Sequence, residues 1–290
     1  MGGRTTRSLS RKSLRNKRGI EPVVATIIIT ATIIALVTVA MVFADNLLTT
    51  SIAQGDFNSA KQFMQTIAMQ IDDVAWQMGQ TETVRYASTY GTMNVLNGAL
   101  NYTIVMTSTT GSKQTYTFLT GITYFYMATS YYSVSNNYFS QVWPSQVLNP
   151  VNNGSSAPVA TVFAVEKLPL NGSYIRVVAA PVIRLTNSTI KTTSTSSTFY
   201  FNLYLPVVSL TTSPRLSQSV TLKGNSISIG TQINLQSISV TVSFPKSGFD
   251  NTFFHFPRTT QTITAPQGTG LTCVAQLYTA SVGVSLGATA

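Results

Sequence analysis

The 290-residue chain carries 18 basic and 8 acidic side chains, a net charge of +10 with only 9% of residues charged. Seven of the basic residues (Arg4, Arg7, Arg11, Lys12, Arg15, Lys17 and Arg18) precede Ile20, and the residues that follow carry only +3, so the sequence lacks a phosphate-tracking stripe and argues against nucleic acid as a partner. A single cysteine, Cys273, excludes an intramolecular disulfide, so the folded body has to be held by a buried core.

Residues 1–19 are basic and polar without apolar periodicity, a leader read as a targeting or topology signal and expected to be disordered. From Pro22 to Ala44 no side chain is charged. A helix over those 23 residues reaches about 34 Å, enough to cross a bilayer core. The basic flank stays on the cytoplasmic side, which puts the chain after Asp45 outside the cell. Threonines in the run are tolerated because each hydroxyl can bond a carbonyl one turn earlier. The helix is expected from about Val23 to Gln54.

Gly55-Asp56-Phe57-Asn58-Ser59 interrupts the pattern, and Asn58 or Ser59 is suited to cap a restart. Ala60, Phe63, Met64, Ile67, Ala68, Ile71, Ala75 and Met78 then form one apolar stripe, with Lys61, Gln62, Gln65, Gln70 and Asp73 opposite. Gly79 fits a C-terminal cap. Residues 20–79 are therefore read as one long, kinked helical region, apolar in 22–44 and amphipathic in 60–78.

Beyond Gly79 the pattern is that of strands: Val84–Tyr90, Leu100–Met106, Thr115–Phe118, Val159–Val165, Tyr174–Ile183, Thr198–Val208, Ser219–Leu222, Ile233–Phe244, Thr260–Thr264 and Leu271–Leu286. The fold class is α+β, a long N-terminal hydrophobic helix followed by a β-sandwich-like, strand-rich globular domain over 80–290. The polar stretch 149–158 is read as a surface loop, with a division into two β domains as the alternative.

The chemistry-bearing residues give weak signals. Gly283-Val284-Ser285-Leu286-Gly287 matches a nucleophile-elbow pattern but reads as a strand. His255 is the single histidine and lies in an aromatic cluster, which does not make a metal site. Asp72 and Asp73 diverge on a helix and are read as a solvated face. No catalytic, cofactor or metal residue is assigned, and the chain is read as not an enzyme. Tyr124–Trp143 is dense in aromatics, read first as core packing, with Tyr131, Tyr132, Tyr138 and Phe139 as an alternative contact surface. Cys273 is read as a small buried hydrophobe. Sequons at Asn101, Asn153, Asn171 and Asn187 are candidate sites for covalent N-linked glycans on an external body.

The short basic leader, Lys17-Arg18-Gly19, and the apolar helix directly behind it resemble the precursors of archaeal type IV pilins, over residues 11 to about 54. The resemblance implies processing by a prepilin peptidase between Gly19 and Ile20. It further implies that the helix bearing Pro22, Val23, Val24, Ile27, Ile28, Ala31, Ile34, Ala35, Val39 and Val42 moves from the membrane into the core of a filament of identical subunits, built by a pilus assembly machinery. Two features depart from related filaments. The fifth position after the cleavage point is Val24, not the glutamate of bacterial pilins, and the glycine-rich start of archaellins is absent. An adhesive surface pilus is the reading that follows, with an archaellum subunit or a membrane-anchored extracellular binding protein, for example for sugars, as alternatives.

Overall fold

The computed structural model describes residues 14–146, 149–168, 172–191 and 196–287. The first helix, α1, runs from Leu14 to Ala75. It is followed by β1 (Thr81–Arg85), β2 (Gly91–Ser108), β3 (Lys113–Ala128), β4 (Tyr138–Trp143), β5 (Val151–Asn153), β6 (Ala160–Glu166), β7 (Tyr174–Pro181) and β8 (Ile183–Lys191). The chain continues through β9 (Ser197–Thr212), β10 (Ser219–Ile233), β11 (Leu235–Ser243), the short helix α2 (Asn251–Phe254), β12 (Thr260–Thr264) and β13 (Leu271–Leu286). The class is α+β. By its internal contacts the chain divides into two units, Met1–Ser51 and Ile52–Ala290.

The strands form a six-stranded sheet, β1-β10-β13-β9-β8-β5, and a seven-stranded sheet, β12-β11-β2-β3-β7-β6-β4. Both sheets contain strands from before and after 149–158, a segment that itself contributes β5. Most pairs are antiparallel, but the long central pair β9 and β13 is parallel from Leu271 opposite Ser197 onward. In β2 the buried positions are Met93 and Val95 before an irregularity between Leu96 and Leu100, and Leu100, Tyr102, Ile104 and Met106 after it. The bulge thus exchanges which alternate residues face inward. The strand serves two cores.

One core joins Leu100, Tyr102, Ile104 and Met106 to Leu203, Leu205, Leu277 and the Phe249, Phe253, Phe254 and Phe256 cluster. The other joins α1 residues Ala53, Phe57, Met64, Ile67, Ala68, Ile71 and Val74 to Phe125, Met127 and Val177 of one sheet and Val220, Leu222, Val282 and Val284 of the other. Burying that helical stripe removes apolar area from water at roughly 25 cal/mol per Å2.

Two expectations for the helix need correction. It does not break at Gly55–Ser59, and neither Asn58 nor Ser59 caps a restart, because α1 is continuous there. Glycine costs a helix about 1 kcal/mol relative to alanine, and burial of Ala53 and Phe57 on either side of Gly55 offsets that cost. The helix also stops at Ala75, not Met78. Gly79, at φ +83°, turns the chain and donates its N–H to the Gly224 carbonyl at 2.8 Å. At the other end the backbone is already helical from Leu14, through the expected boundary at Gly19.

Candidate functional site: the apolar helix

Every residue from Pro22 to Leu48 is exposed. Val39 and Met41 each show 68% of their surface and Leu36 shows 64%. Thr26, Thr32 and Thr38 direct their hydroxyls to the carbonyls of Pro22, Ile28 and Ile34, each at 2.8 Å. The hydroxyl donors are thereby satisfied within the helix, and what each threonine presents outward is largely its methyl group. The candidate core residues Val23, Val24, Ile27, Ile28, Ala31, Ile34, Ala35, Val39 and Val42 all lie on this exposed stretch, as does Pro22. By length and composition the helix can cross a membrane. At Lys17, Arg18, Gly19 and Ile20 the backbone is helical. Pro22 lies inside the helix, where it lacks the N–H that would bond the carbonyl of residue 18.

The second half of α1 is held by two carboxylates whose roles the sequence did not disclose. Asp56 accepts from Ser88 Oγ at 2.9 Å and from the backbone N–H groups of Thr89 and Tyr90 at 2.6 and 3.0 Å. Its side chain therefore organises the approach to β2. Asp72 accepts from Trp76 Nε1 and from Arg184 Nη1, both at 2.8 Å. Arg184 lies over Tyr204 at 5.1 Å, and Trp76 meets the edge of the same ring at 5.2 Å. Asp72 is thus an anchor and not the solvated position expected; Asp73 is exposed. The i,i+4 spacing of Asp72 and Trp76 was the available signal.

The glycan candidates differ in position. Asn153 and Asn187 are exposed, at the end of β5 and within β8. Asn101 is half-buried in the central strand β2, with its amide oxygen out of contact with solvent. Asn171 lies outside the described residues, as does the leader before Leu14.

The remaining candidates fall into packing roles. Ser285 lies within β13, directly across from Thr221 of β10, so Gly283–Gly287 makes no strand-to-helix elbow. His255 stacks on Phe139 at 4.0 Å and caps α2 in the left-handed region at φ +53°. Tyr132 meets Phe57 at 5.5 Å, Tyr138 packs on the helix core and Phe139 meets Phe163 at 5.3 Å; Tyr131 is exposed and stacks on Tyr90 at 4.5 Å. Burial pushes the Cys273 thiol up, and its Sγ lies 3.3 Å from the Pro266 carbonyl. The wholly buried Tyr102 hydroxyl, which donates to the Pro181 carbonyl at 2.8 Å, is likewise held neutral by desolvation. Among the described residues, no group of three or more His, Cys, Asp or Glu comes together to hold a metal ion.

Fold and site define a class: an α+β protein whose strand-rich unit follows a helix of membrane-spanning length with an apolar surface. No family model, curated protein or solved structure matches the chain.

Proposed function

We propose that the protein is a structural subunit of an extracellular filament of the archaeal type IV pilus kind, held in the membrane by its apolar helix before assembly and serving surface adhesion. The observation that carries this reading is the exposure of every side chain from Pro22 to Ala44 on a charge-free helical surface. Such a surface is stable in lipid or among identical helices, and the alanines at 25, 31, 35 and 40 allow close backbone approach. The six positions from Asp45 to Thr50 include a single charge, which leaves the run free to slide from one environment to the other. Head-to-tail contacts that do not close on themselves extend such an arrangement into a fibre.

Pro22 adds a second line of support. Within an uninterrupted helix it removes a hydrogen bond, whereas after cleavage between Gly19 and Ile20 it becomes the third residue, in the first turn, where N–H groups have no intrahelical partner anyway. Lys17, Arg18, Gly19 and Ile20 form the processing site in this reading, with a prepilin peptidase as its enzyme. Asn153 and Asn187 are the glycan sites that it favours.

The test is the N-terminal residue of the protein in material sheared from cells. Ile20 in a fibrous fraction is the expected result. Met1 in protein that stays with the membrane would replace the filament by an anchored extracellular binding protein.

A further inference from the structure

A basin on the seven-stranded sheet has no part in filament formation as described above. Strand pairing sets Asn94 beside Tyr124, and Tyr126 beside Arg176, on one face of β2, β3 and β7. Tyr174, two residues before Arg176, shares that face. It is the face opposite Met93, Phe125 and Ile175, which pack with α1. Tyr126 lies 5.8 Å from Tyr124 and meets Tyr174 almost perpendicularly at 5.3 Å. With Phe249 as a further wall, these residues border an open depression of about 210 Å3.

The floor is cationic. Arg176 is 3% exposed, its guanidinium lies 5.5 Å from the Tyr174 ring, and Nη1 donates to the Tyr174 carbonyl at 3.2 Å. Burial holds its pKa below the usual arginine value, opposed by Tyr124, Tyr174 and Tyr126. Arg176 and Arg215 both act electrostatically on Tyr124. Glu166 does not repel an anion here. Its neighbour Val165 pairs with Arg176, so Glu166 projects to the other face, where it accepts from Ser133 Oγ at 2.7 Å and the Val134 N–H at 2.8 Å.

A small anion alone would leave the tyrosine walls unused, and a flat aromatic ligand would call for parallel rings. Rings set at angles, with hydroxyls at their tips, suit a puckered ring that has both C–H faces and hydroxyl groups. We propose that this basin binds one pyranose ring bearing a carboxylate, a uronic acid residue, with the tyrosines against its C–H surface and Arg176 and Asn94 at its acidic and hydroxyl groups. The charge at the floor sets the preference for an acidic over a neutral sugar, and the low local dielectric strengthens it. Such a site gives an adhesive surface a carbohydrate target without depending on how the helix is used.

The experiment is saturation-transfer NMR and titration of the full chain in detergent micelles with methyl β-glucuronide, and with methyl β-glucoside as the neutral comparison. The glucuronide should receive saturation from the protein and bind more tightly than the glucoside. Tyr126→Ala, at a half-exposed position, should weaken binding by about tenfold or more, and Arg176→Gln should abolish the preference for the acidic sugar. If Arg176→Gln fails to fold, Tyr126→Ala carries the test alone. Absence of transfer to the glucuronide, equal binding of both sugars, or unchanged binding by Tyr126→Ala would overturn the proposal.

Discussion

The two halves of α1 use the same backbone for opposite purposes. From Pro22 to Ala44 the side chains are apolar or threonine all round, none is charged, and every one is exposed. From Ala53 to Ala75 they are divided into a stripe that is buried and a polar flank that is not. A divided helix buries its stripe within the chain, whereas an undivided apolar one has the surface that lipid or other helices suit, as the proposed filament subunit would use it. The difference lies in the placement of polar atoms and not in helix propensity. Three threonines that could have broken the apolar surface turn their hydroxyls back on the helix, while Asp56 directs its carboxylate to the segment before β2 and Asp72 directs its own to Arg184 of β8.

Substitutions in each half should therefore fail in different assays. Ile71→Ala, at a wholly buried site, is expected to destabilise the strand-rich unit by about 2–5 kcal/mol. Its thermal midpoint in detergent should fall while membrane partition is unchanged. Ala35→Asp should do the reverse. A charge near the centre of a bilayer costs about 2.5–3.5 kcal/mol on insertion scales, so membrane insertion or filament yield should collapse while the unit's midpoint stays in place. A midpoint lowered equally by both variants would show that the two halves are not energetically separate.

What was legible in the sequence follows the same division. The apolar run needs no distant partner to be recognised, and β12 and β13 have the limits read from their alternation and their flanking glycines and prolines. The continuity of α1 was hidden because Gly55 and Asp56 look like a break until the Thr89 and Tyr90 amides that donate to Asp56 are known. Strand β4 was absorbed into an aromatic stretch whose density suggested packing but not pairing. The parallel union of β9 with β13 left no local mark, since its first paired positions, Ser197 and Leu271, stand 74 residues apart and only the fold brings them together. The tyrosine basin was half legible: Tyr124 and Tyr126 alternate in sequence, but Arg176 joins them only through register.

Smaller effects sharpen the account of how the buried half is held. Gly224 lies where an added Cβ would stand 2.2 Å from the Val74 carbonyl oxygen and 2.6 Å from that of Gln77. Gly224→Ala should cost about 1–3 kcal/mol of overpacking, read as a lower denaturation midpoint with an unchanged denaturant slope. Asp72→Ala leaves Arg184, with 16% of its side chain exposed, without that carboxylate. A loss of about 1–3 kcal/mol is expected, and Arg184→Ala in the same background should add less than it does alone, since the two act as one interaction.

The smallest effect concerns pH and lies away from the helix. Asp250 caps α2 by accepting from the Thr252 and Phe253 N–H groups at 3.0 and 3.1 Å, and it pairs with Lys167 at 2.8 Å. The hydrogen bond from Lys167, helped by those from Thr252 and Phe253 and opposed by partial burial, lowers its carboxyl to about 2 from an ordinary 3.8. The folded state therefore holds this proton less tightly than the unfolded chain does. Its stabilising contribution is complete above the unfolded value and is lost as pH falls from 3.8 toward about 2. With 54% of the carboxylate side chain exposed, salt and solvent screen much of that contribution. Asp250→Asn should flatten the acid limb of the stability profile below pH 4 and leave the neutral midpoint nearly unchanged. An acid limb identical to that of the unaltered protein would mean that Asp250 titrates alike in the folded and unfolded chains.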